Sequence, residues 1–246
     1  NHEPIRVDND SDLADQAIEE GWSGDGSQDN PYVIEGYKID GSSYGYGIYI
    51  GNTTDHFIVK NCYMYNASGS YGRYWDNTGL LMYNVSNGIA KNNTSTNNSY
   101  GIRLYSSSSN ILSDNTLLND KYGIYLYSSK NNILSNNSVS KNTWGIHFSY
   151  SNHNVLANNT VSSNMWSICL RHSSNNTLKS NDASNNDKGI QVYYSKNNTF
   201  INNVLSSNEG GGIKFKSSNF NTLINNIVSS NYDFGIFLKG SNSNIL

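Results

Sequence analysis

The chain has 246 residues, of which 36% are apolar and 14% are charged, with a formal net charge of −3. A mildly acidic chain of this kind argues against nucleic acid as a partner, because nucleic-acid-binding domains carry basic surfaces. No apolar run approaches the roughly 20 residues of a membrane-spanning helix, so the sequence also predicts no insertion into a membrane.

The first predicted element is a short helix over residues 11–20, with Ser11 as its N-cap and acidic residues in its first turn. Gly21 is expected to end it. Residues 1–31 are therefore predicted to form an N-terminal cap, and residues 32–246 the repeats that it covers. The apolar residues expected to lie against the first coil are Leu13, Ala17 and Ile18.

A Gly-Ile phrase then recurs along most of the chain. Its successive spacings are 22, 22, 22, 22, 22, 23 and 23 residues. A fixed period in this range indicates a solenoid. The first residues of the phrase are Gly79, Gly101, Gly123, Gly145, Ser167, Gly189, Gly212 and Gly235.

Three apolar columns repeat within each period. If the recurring glycine is position one, positions two and four are apolar, as Ile124 and Leu126 illustrate, and two later columns five residues apart include Leu134 and Val139. Short segments with one buried face are strands. The sequence therefore predicts an all-β, single-stranded right-handed parallel β-helix with about 22 residues per coil, three sheets and a short capping helix.

Asparagine marks the predicted corners of the coils, in three columns of which one is interrupted only by Asp120. Asparagine tolerates a left-handed bend, and its amide can bond to the coils above and below. We therefore expect asparagine ladders along the solenoid. One unbroken column comprises Asn93, Asn115, Asn137, Asn159, Asn181, Asn203 and Asn226.

The stretch from Gly123 to Val139 resembles the right-handed β-helix repeats of the NosD-like group, also described as the carbohydrate-binding and sugar-hydrolase (CASH-type) repeat. The opening from Asp29 to Gly36 is similar to the start of large archaeal surface proteins that carry such repeats. The resemblance implies the fold and a secreted or cell-surface location. It implies no single activity, because members include hydrolases, lyases, epimerases, binding modules and proteins without known activity.

Positions three and five of the Gly-Ile strand, with the bend that follows, predict an outward stripe of aromatic and cationic side chains. Aromatic rings can stack on sugars, and cations can pair with carboxylate or sulfate groups. The alternative is an ordinary strand surface. The predicted polysaccharide-binding residues of this stripe are Tyr83, Arg103, Tyr105, Tyr125, Tyr127, His147, Tyr150, Arg171, His172 and Tyr193.

The coil that begins at Gly47 is ten residues longer than the others, and the excess lies between Asn66 and Gly79. An aromatic, charged loop beside the stripe is a typical functional insertion, although it could also pack on its own coil. Its candidate ligand contacts are Arg73, Tyr74, Trp75 and Asp76. Trp144 and Trp166 precede the strand on consecutive coils. The sequence allows their side chains to point either into the core or outward.

Three functions follow from these residues. The leading hypothesis is an extracellular module that binds polysaccharide, and the first alternative is a lyase or epimerase acting on a uronate-containing glycan. Such an enzyme needs a base and a cation, for which His147, Arg171 and Tyr125 are the candidates. The acidic residues are scattered, which disfavours a glycoside hydrolase. The remaining alternative is a structural or adhesive solenoid.

The histidines and cysteines predict neither a metal site nor another cofactor. The five histidines lack ligand spacing. Cys62 and Cys169 lie about five coils apart, roughly 20 Å, which is too far for a disulfide. The sequence ends in mid-repeat at Leu246, so we expect further coils, other domains or a partner at that end.

Overall fold

The computed structural model describes residues 1–67 and 77–246. The chain is an all-β parallel solenoid of about nine turns with three main sheets and one short helix near the N-terminus, which confirms the predicted fold. Each coil pairs with the next in parallel register, as Tyr122–Tyr127 does with Trp144–Ser149. No helix in the described ranges is long and apolar enough to cross a membrane.

The first sheet contains the Gly-Ile strands and has ten members. They are Ile5–Val7, Tyr46–Gly51, Thr78–Tyr83, Tyr100–Tyr105, Tyr122–Tyr127, Trp144–Ser149, Trp166–Arg171, Lys188–Tyr193, Ile213–Lys216 and Ile236–Lys239. The second sheet has nine. They are Tyr32–Glu35, Phe57–Lys60, Gly88–Lys91, Ile111–Ser113, Ile133–Ser135, Val155–Ala157, Thr177–Lys179, Thr199–Ile201 and Thr222–Ile224.

The third sheet is divided into a part with six strands and a part with two. Single bridges from Asp182 to Thr160 and to Val204 connect the two parts. The six are Lys38–Asp40, Tyr63–Tyr65, Thr94–Thr96, Thr116–Leu118, Ser138–Ser140 and Thr160–Ser162, and the two are Val204–Ser206 and Ile227–Ser229.

The apolar columns form one continuous core inside these sheets. In the coil of Gly123, the side chains of Ile124, Leu126, Leu134 and Val139 are all fully buried. Burial of each such side chain contributes about 1.5–3 kcal/mol, and the same four positions repeat along the solenoid. The core is therefore assembled coil by coil, and no coil completes it alone.

Glycine at position one faces this core, and that sets the direction of its neighbours. A Cβ built on Gly123 would lie 2.5 Å from Cγ1 of Val139 and 2.8 Å from the carbonyl oxygen of Gly145. Since positions one and two both face inward, strict alternation fails there and the preceding residue faces out. Tyr122 and Trp144 occupy that preceding position.

The predicted asparagine ladders are present and buried. The Asn132 backbone N–H and side-chain amide both donate to Oδ1 of Asn154, at 2.9 and 3.1 Å. The same amide also donates to the Ser107 carbonyl at 3.1 Å. The left-handed bend lies one residue earlier than the sequence predicted, at Asn131 with φ of 56°. The ladder residue itself is used for hydrogen bonding.

Asp120 stands in one of these ladders with a carboxyl group in place of the amide. Its Oδ1 accepts the Asn98 backbone N–H at 2.7 Å, and its own N–H donates to Oδ1 of Asn142 at 2.8 Å. Its buried Oδ2 has no hydrogen-bond partner within the described part of the chain. Burial raises the pKa of Asp120 to about 8.

The N-terminal helix spans Asp10–Glu20. Its N-cap is Asn9, whose side chain accepts the Asp12 N–H at 3.0 Å, so the prediction of Ser11 as the cap is wrong by two residues. The helix ends at Gly21 as predicted, in a left-handed conformation with φ of 68°.

This helix covers the first coil with only part of the predicted face. Leu13 and Ala17 are buried, but Ile18 is 81% exposed. Residues four apart share a helix face, and the next residue is turned by about 100°, which explains the wrong prediction for Ile18. Within the predicted cap, Ile5–Val7 pairs with Tyr46–Gly51, and the boundary at residue 31 stays a prediction.

Candidate functional site

Position three of the first sheet lies outside the core but is covered by other side chains. Arg103 is 4% exposed, His147 is 8% and Cys169 is 2%. On these coils the predicted outward stripe is therefore covered at position three rather than open to solvent. These residues instead form a floor beneath three sets of side chains. These come from the residue before the recurring glycine (position zero), from position five, and from the bend residue that follows it (position six).

One cover is the outer aromatic row, formed by Tyr100, Tyr122, Trp144 and Trp166 at position zero. Successive ring centroids lie 5.0, 6.0 and 4.6 Å apart, with ring planes within 17° of parallel. The Lys188 ammonium group lies 3.8 Å above the Trp166 ring. Trp144 and Trp166 thus face outward, because the glycine position faces the core.

The second cover is the tyrosine row at position five, formed by Tyr83, Tyr105 and Tyr127. Its rings stack at 5.3 and 4.9 Å. The Arg103 guanidinium lies 4.6 Å from the Tyr100 ring and 5.4 Å from the Tyr105 ring, between the two rows. The ring faces inside both rows are covered by their neighbours, so the predicted stacking of sugars on those faces is blocked there.

The tyrosine row ends at Ser149, which is in register with Tyr127 and Arg171. Beyond it lies a groove of about 350 Å³ with two cationic side chains and, within the described residues, no carboxylate in its lining. The lining residues are Tyr122, Trp144, His147, Cys169, Arg171, Tyr193, Tyr194 and Lys216.

His147 forms the most polar part of the groove floor. Neither ring nitrogen has a hydrogen-bond partner within the described residues. The ring lies 4.9 Å from Trp144 and 5.3 Å from Tyr125, centroid to centroid. Burial, with a smaller effect of Arg171, lowers the pKa of His147 to about 4. The neutral imidazole therefore offers one N–H donor and one acceptor.

Cys169 also lines the groove, and its register partner on the next strand is Gln191, which is buried and is not part of the lining. Burial raises the pKa of Cys169 to about 12, so it is a thiol and a poor nucleophile at neutral pH. Gln191 Oε1 accepts the Tyr193 hydroxyl at 3.0 Å, whereas its Nε2 has no partner in the described ranges. The position-three column thus has unused hydrogen-bonding capacity.

The predicted site residues separate into three groups. His147, Arg171 and Tyr193 line the groove, and Tyr125 contacts His147. Tyr150 and His172 are not in the lining but stack in a row with Tyr194, which is. Tyr83, Tyr105, Tyr127 and Arg103 belong to the covered rows on earlier coils. Arg73, Tyr74, Trp75 and Asp76 lie outside the described residues.

Sequence reasoning missed five groove residues. Tyr122 and Trp144 were missed as lining residues because their direction depends on the inward glycine. Tyr194 lies in the same bend column as Tyr150 and His172 but was not among the predicted binding residues. Cys169 and Lys216 stood in the predicted stripe positions but carried no recognised signal. The signal that could have found the first two is the conflict between glycine at position one and strict alternation.

The side chains around the groove do not form a site for a transition-metal ion such as copper. No group of three metal-binding side chains exists among the described residues. His147 and Cys169 are register partners, but the Cys169 thiol resists deprotonation and the Arg171 guanidinium lies close by. A cation would meet one imidazole, a protonated thiol and a positive charge.

Solved structures with similar folds act on carbohydrates according to their names. The mannuronan C-5 epimerase AlgE4 A-module of Azotobacter vinelandii has a TM-score of 0.69 at 14% identity, covering 87% of this chain and 62% of that one. DFA-IIIase from Arthrobacter chlorophenolicus A6 has a TM-score of 0.67 at 15% identity, and the match covers 87% of this chain and 63% of that one. A variant of the periplasmic alginate epimerase AlgG has a TM-score of 0.63 at 16% identity, and the match covers 97% of this chain and 82% of that one. At these identities the likeness shows the fold alone, and the chain spans less than two thirds of the first and second proteins.

Two family models match the sequence, while no curated protein does. The model described as "Right handed beta helix region" matches residues 119–246, and the one described as "Periplasmic copper-binding protein (NosD)" matches residues 27–166. They cover 128 and 140 of the 246 residues, more than half in each case. The chain belongs to the NosD-like family of right-handed β-helix proteins.

Proposed function

We propose that the protein binds an acidic polysaccharide along the groove over His147 and Cys169. The observation that carries this proposal is the charge of the groove. Its lining contains Arg171 and Lys216 and no described carboxylate, although the chain as a whole has a net charge of −3. A positively charged groove on an acidic protein attracts anionic ligands and repels cationic ones.

The shape and chemistry of the groove support a linear sugar polymer. Its lining comes from five consecutive coils, from Tyr122 to Lys216, so it follows the solenoid axis for about 19 Å at the usual strand spacing. Polar side chains of the lining, among them Arg171 and Tyr194, suit sugar hydroxyl and carboxylate oxygens. The outer aromatic row offers ring edges, which carry the positive end of the ring quadrupole.

Replacing both cations, as Arg171→Gln with Lys216→Gln, is expected to weaken binding at least about tenfold, because each charge-assisted hydrogen bond contributes about 1.5–3 kcal/mol. Affinity electrophoresis in polygalacturonate, alginate and their carboxyl-reduced forms measures this. The matched control is Lys130→Gln with Lys179→Gln, since both lysines are exposed away from the groove. Equal retardation by the reduced, neutral polymers would contradict the proposal.

A lyase or epimerase acting on a uronate is the second candidate, and the position of His147 with Arg171 in the groove lining supports it. A neutral imidazole can accept a proton, and a bound uronate carboxylate beside it would raise the low pKa of about 4 that burial gives it. Arg171 would neutralise that carboxylate, and Tyr125 lies beside the base. Return of a proton to the opposite face gives epimerisation, whereas loss of the C4 substituent gives an unsaturated product.

Both reactions are measurable with the wild-type protein. In deuterated water, an epimerase or lyase should exchange or remove the proton at C5, which NMR detects, and a lyase should also raise ultraviolet absorbance. The His147→Phe variant is expected to lose at least about a hundredfold in rate. Full activity of that variant would rule out His147 as the base, and the absence of both signals in wild type leaves binding as the function.

We propose that this binding takes place outside the cytoplasm, where acidic polysaccharides occur, either in a secreted form or at the cell surface. The periplasmic description of the matching family supports this location. The residues Arg73, Tyr74, Trp75 and Asp76 stay proposed ligand contacts. Fractionation of the source cells, with immunodetection of the protein in the cytoplasmic fraction alone, would contradict the location.

A further inference from the structure

One residue in each coil, directly after the first-sheet strand, has a left-handed backbone. In six of the coils this residue is asparagine, serine or glycine, with φ between 49° and 55°. These are residues that accept such a bend or fit it by their small size. They are Asn52, Asn84, Ser106, Ser128, Ser217 and Gly240.

Three consecutive coils break this pattern with aromatic side chains. Tyr150, His172 and Tyr194 have φ of 51°, 49° and 52°. Histidine visits this region fairly often, but for a bulky residue such as tyrosine it is a strained outlier. Because six other coils make the same bend with small residues, the solenoid does not need tyrosine to fold there.

These three side chains form an aromatic shelf on the surface. The His172 ring is stacked between Tyr150 at 4.9 Å and Tyr194 at 5.0 Å, with planes within 8° of parallel. Tyr150 is 54% exposed and Tyr194 is 48% exposed. The shelf therefore contributes nothing to the core, and stacking among its own members returns only part of the backbone strain.

The shelf stands on the same coils as the groove lining. Tyr150, His172 and Tyr194 follow the strands that carry His147, Cys169 and Tyr193, and Tyr194 itself lines the groove. Strained, exposed residues that coincide with a groove indicate a role in binding.

We propose that Tyr150, His172 and Tyr194 are the specificity-determining outer rim of the polysaccharide groove, kept at a cost in stability. This inference rests on the proposed binding function. The neighbouring rings cover both faces of His172, so the rim presents ring edges, tyrosine hydroxyls and imidazole nitrogens to the polymer. These groups donate to and accept from sugar hydroxyl and carboxylate oxygens.

The test replaces the three shelf residues with asparagine, the residue that makes this bend at Asn52 and Asn84 in the first coils. The variant Tyr150→Asn, His172→Asn, Tyr194→Asn is expected to unfold at a higher temperature than wild type, and to bind the retarding polysaccharide at least tenfold more weakly. The matched control is Ser106→Asn, which changes the same column on a coil before the groove. It is expected to leave binding unchanged.

The unfolding temperature and the binding measurement together show which claim fails. If wild type binds and the shelf variant binds equally well, the rim is overturned while the binding function stands. If the variant unfolds at the same temperature as wild type or lower, the claim that the shelf costs stability is overturned. If wild type itself binds none of the acidic polymers, the proposed function fails and the rim fails with it.

Discussion

Replacing Asp120 with asparagine is expected to raise the free energy of unfolding at pH 7 by about 3–4 kcal/mol. The variant restores the amide that the ladder carries on the coils of Asn98 and Asn142, and it removes a buried carboxyl whose Oδ2 lacks a partner in the described part of the chain. Each pKa unit of difference between folded and unfolded states corresponds to about 1.4 kcal/mol.

The effect should depend on pH in a definite direction. The pKa of Asp120 is raised by folding, to about 8 from 3.8, so between these values the folded state binds more protons than the unfolded state. Its contribution to stability is complete below about pH 4 and is lost as the pH rises toward 8. The advantage of the variant should therefore be smallest near pH 4 and largest near pH 8.

Urea unfolding of wild type and variant at pH 4.5, 6 and 7.5 measures this difference. Asp187→Asn is the matched control, since it removes the same charge from an exposed position. Its effect is expected to stay within about 0.5 kcal/mol. A constant difference between Asp120→Asn and wild type across the three pH values would contradict a protonated Asp120 in the folded chain.

Replacing Asn137 with alanine is expected to destabilise the solenoid by about 3–5 kcal/mol. Its Oδ1 accepts the backbone and side-chain N–H groups of Asn115, both at 3.0 Å. Its amide donates to the Leu112 carbonyl and to Oδ1 of Asn159, both at 2.9 Å. Alanine removes the partner of two buried backbone groups of the preceding coil, the Asn115 N–H and the Leu112 carbonyl, and each such group left unsatisfied costs about 1–3 kcal/mol.

The neighbouring asparagine provides the control for this variant. Asn136 is exposed and left-handed, with φ of 55°, so glycine keeps its backbone conformation. Asn136→Gly is expected to change stability by less than about 1 kcal/mol, measured by the same urea unfolding. Similar losses in both variants would show that the ladder amide adds nothing beyond the turn.

Periodicity predicted the fold because each coil repeats the same physical requirements. The apolar columns of Ile124, Leu134 and Val139 define three buried strand faces, and the spacing of the glycines defines the coil. Helix capping was less predictable. Asn9 and Ser11 are both good N-caps, and only the three-dimensional path of the chain decides between them.

The candidate site was predicted only in part because its shape depends on departures from the repeat. The sequence placed His147 and Arg171 on one face, but not the burial of His147 beneath neighbouring rings. The direction of Trp144 follows from glycine packing, and the stacking of ring on ring follows from strand spacing. Both are interactions between coils, which a column of residue types does not reveal.

The most direct test of groove binding is a crystal structure of the protein with an acidic oligosaccharide that retards it in electrophoresis. We expect sugar density over His147 and Cys169, with a carboxylate within hydrogen-bond distance of Arg171 or Lys216 and the polymer along the solenoid axis. Density on another face of the solenoid, or a groove left empty by an oligosaccharide bound elsewhere, would contradict it.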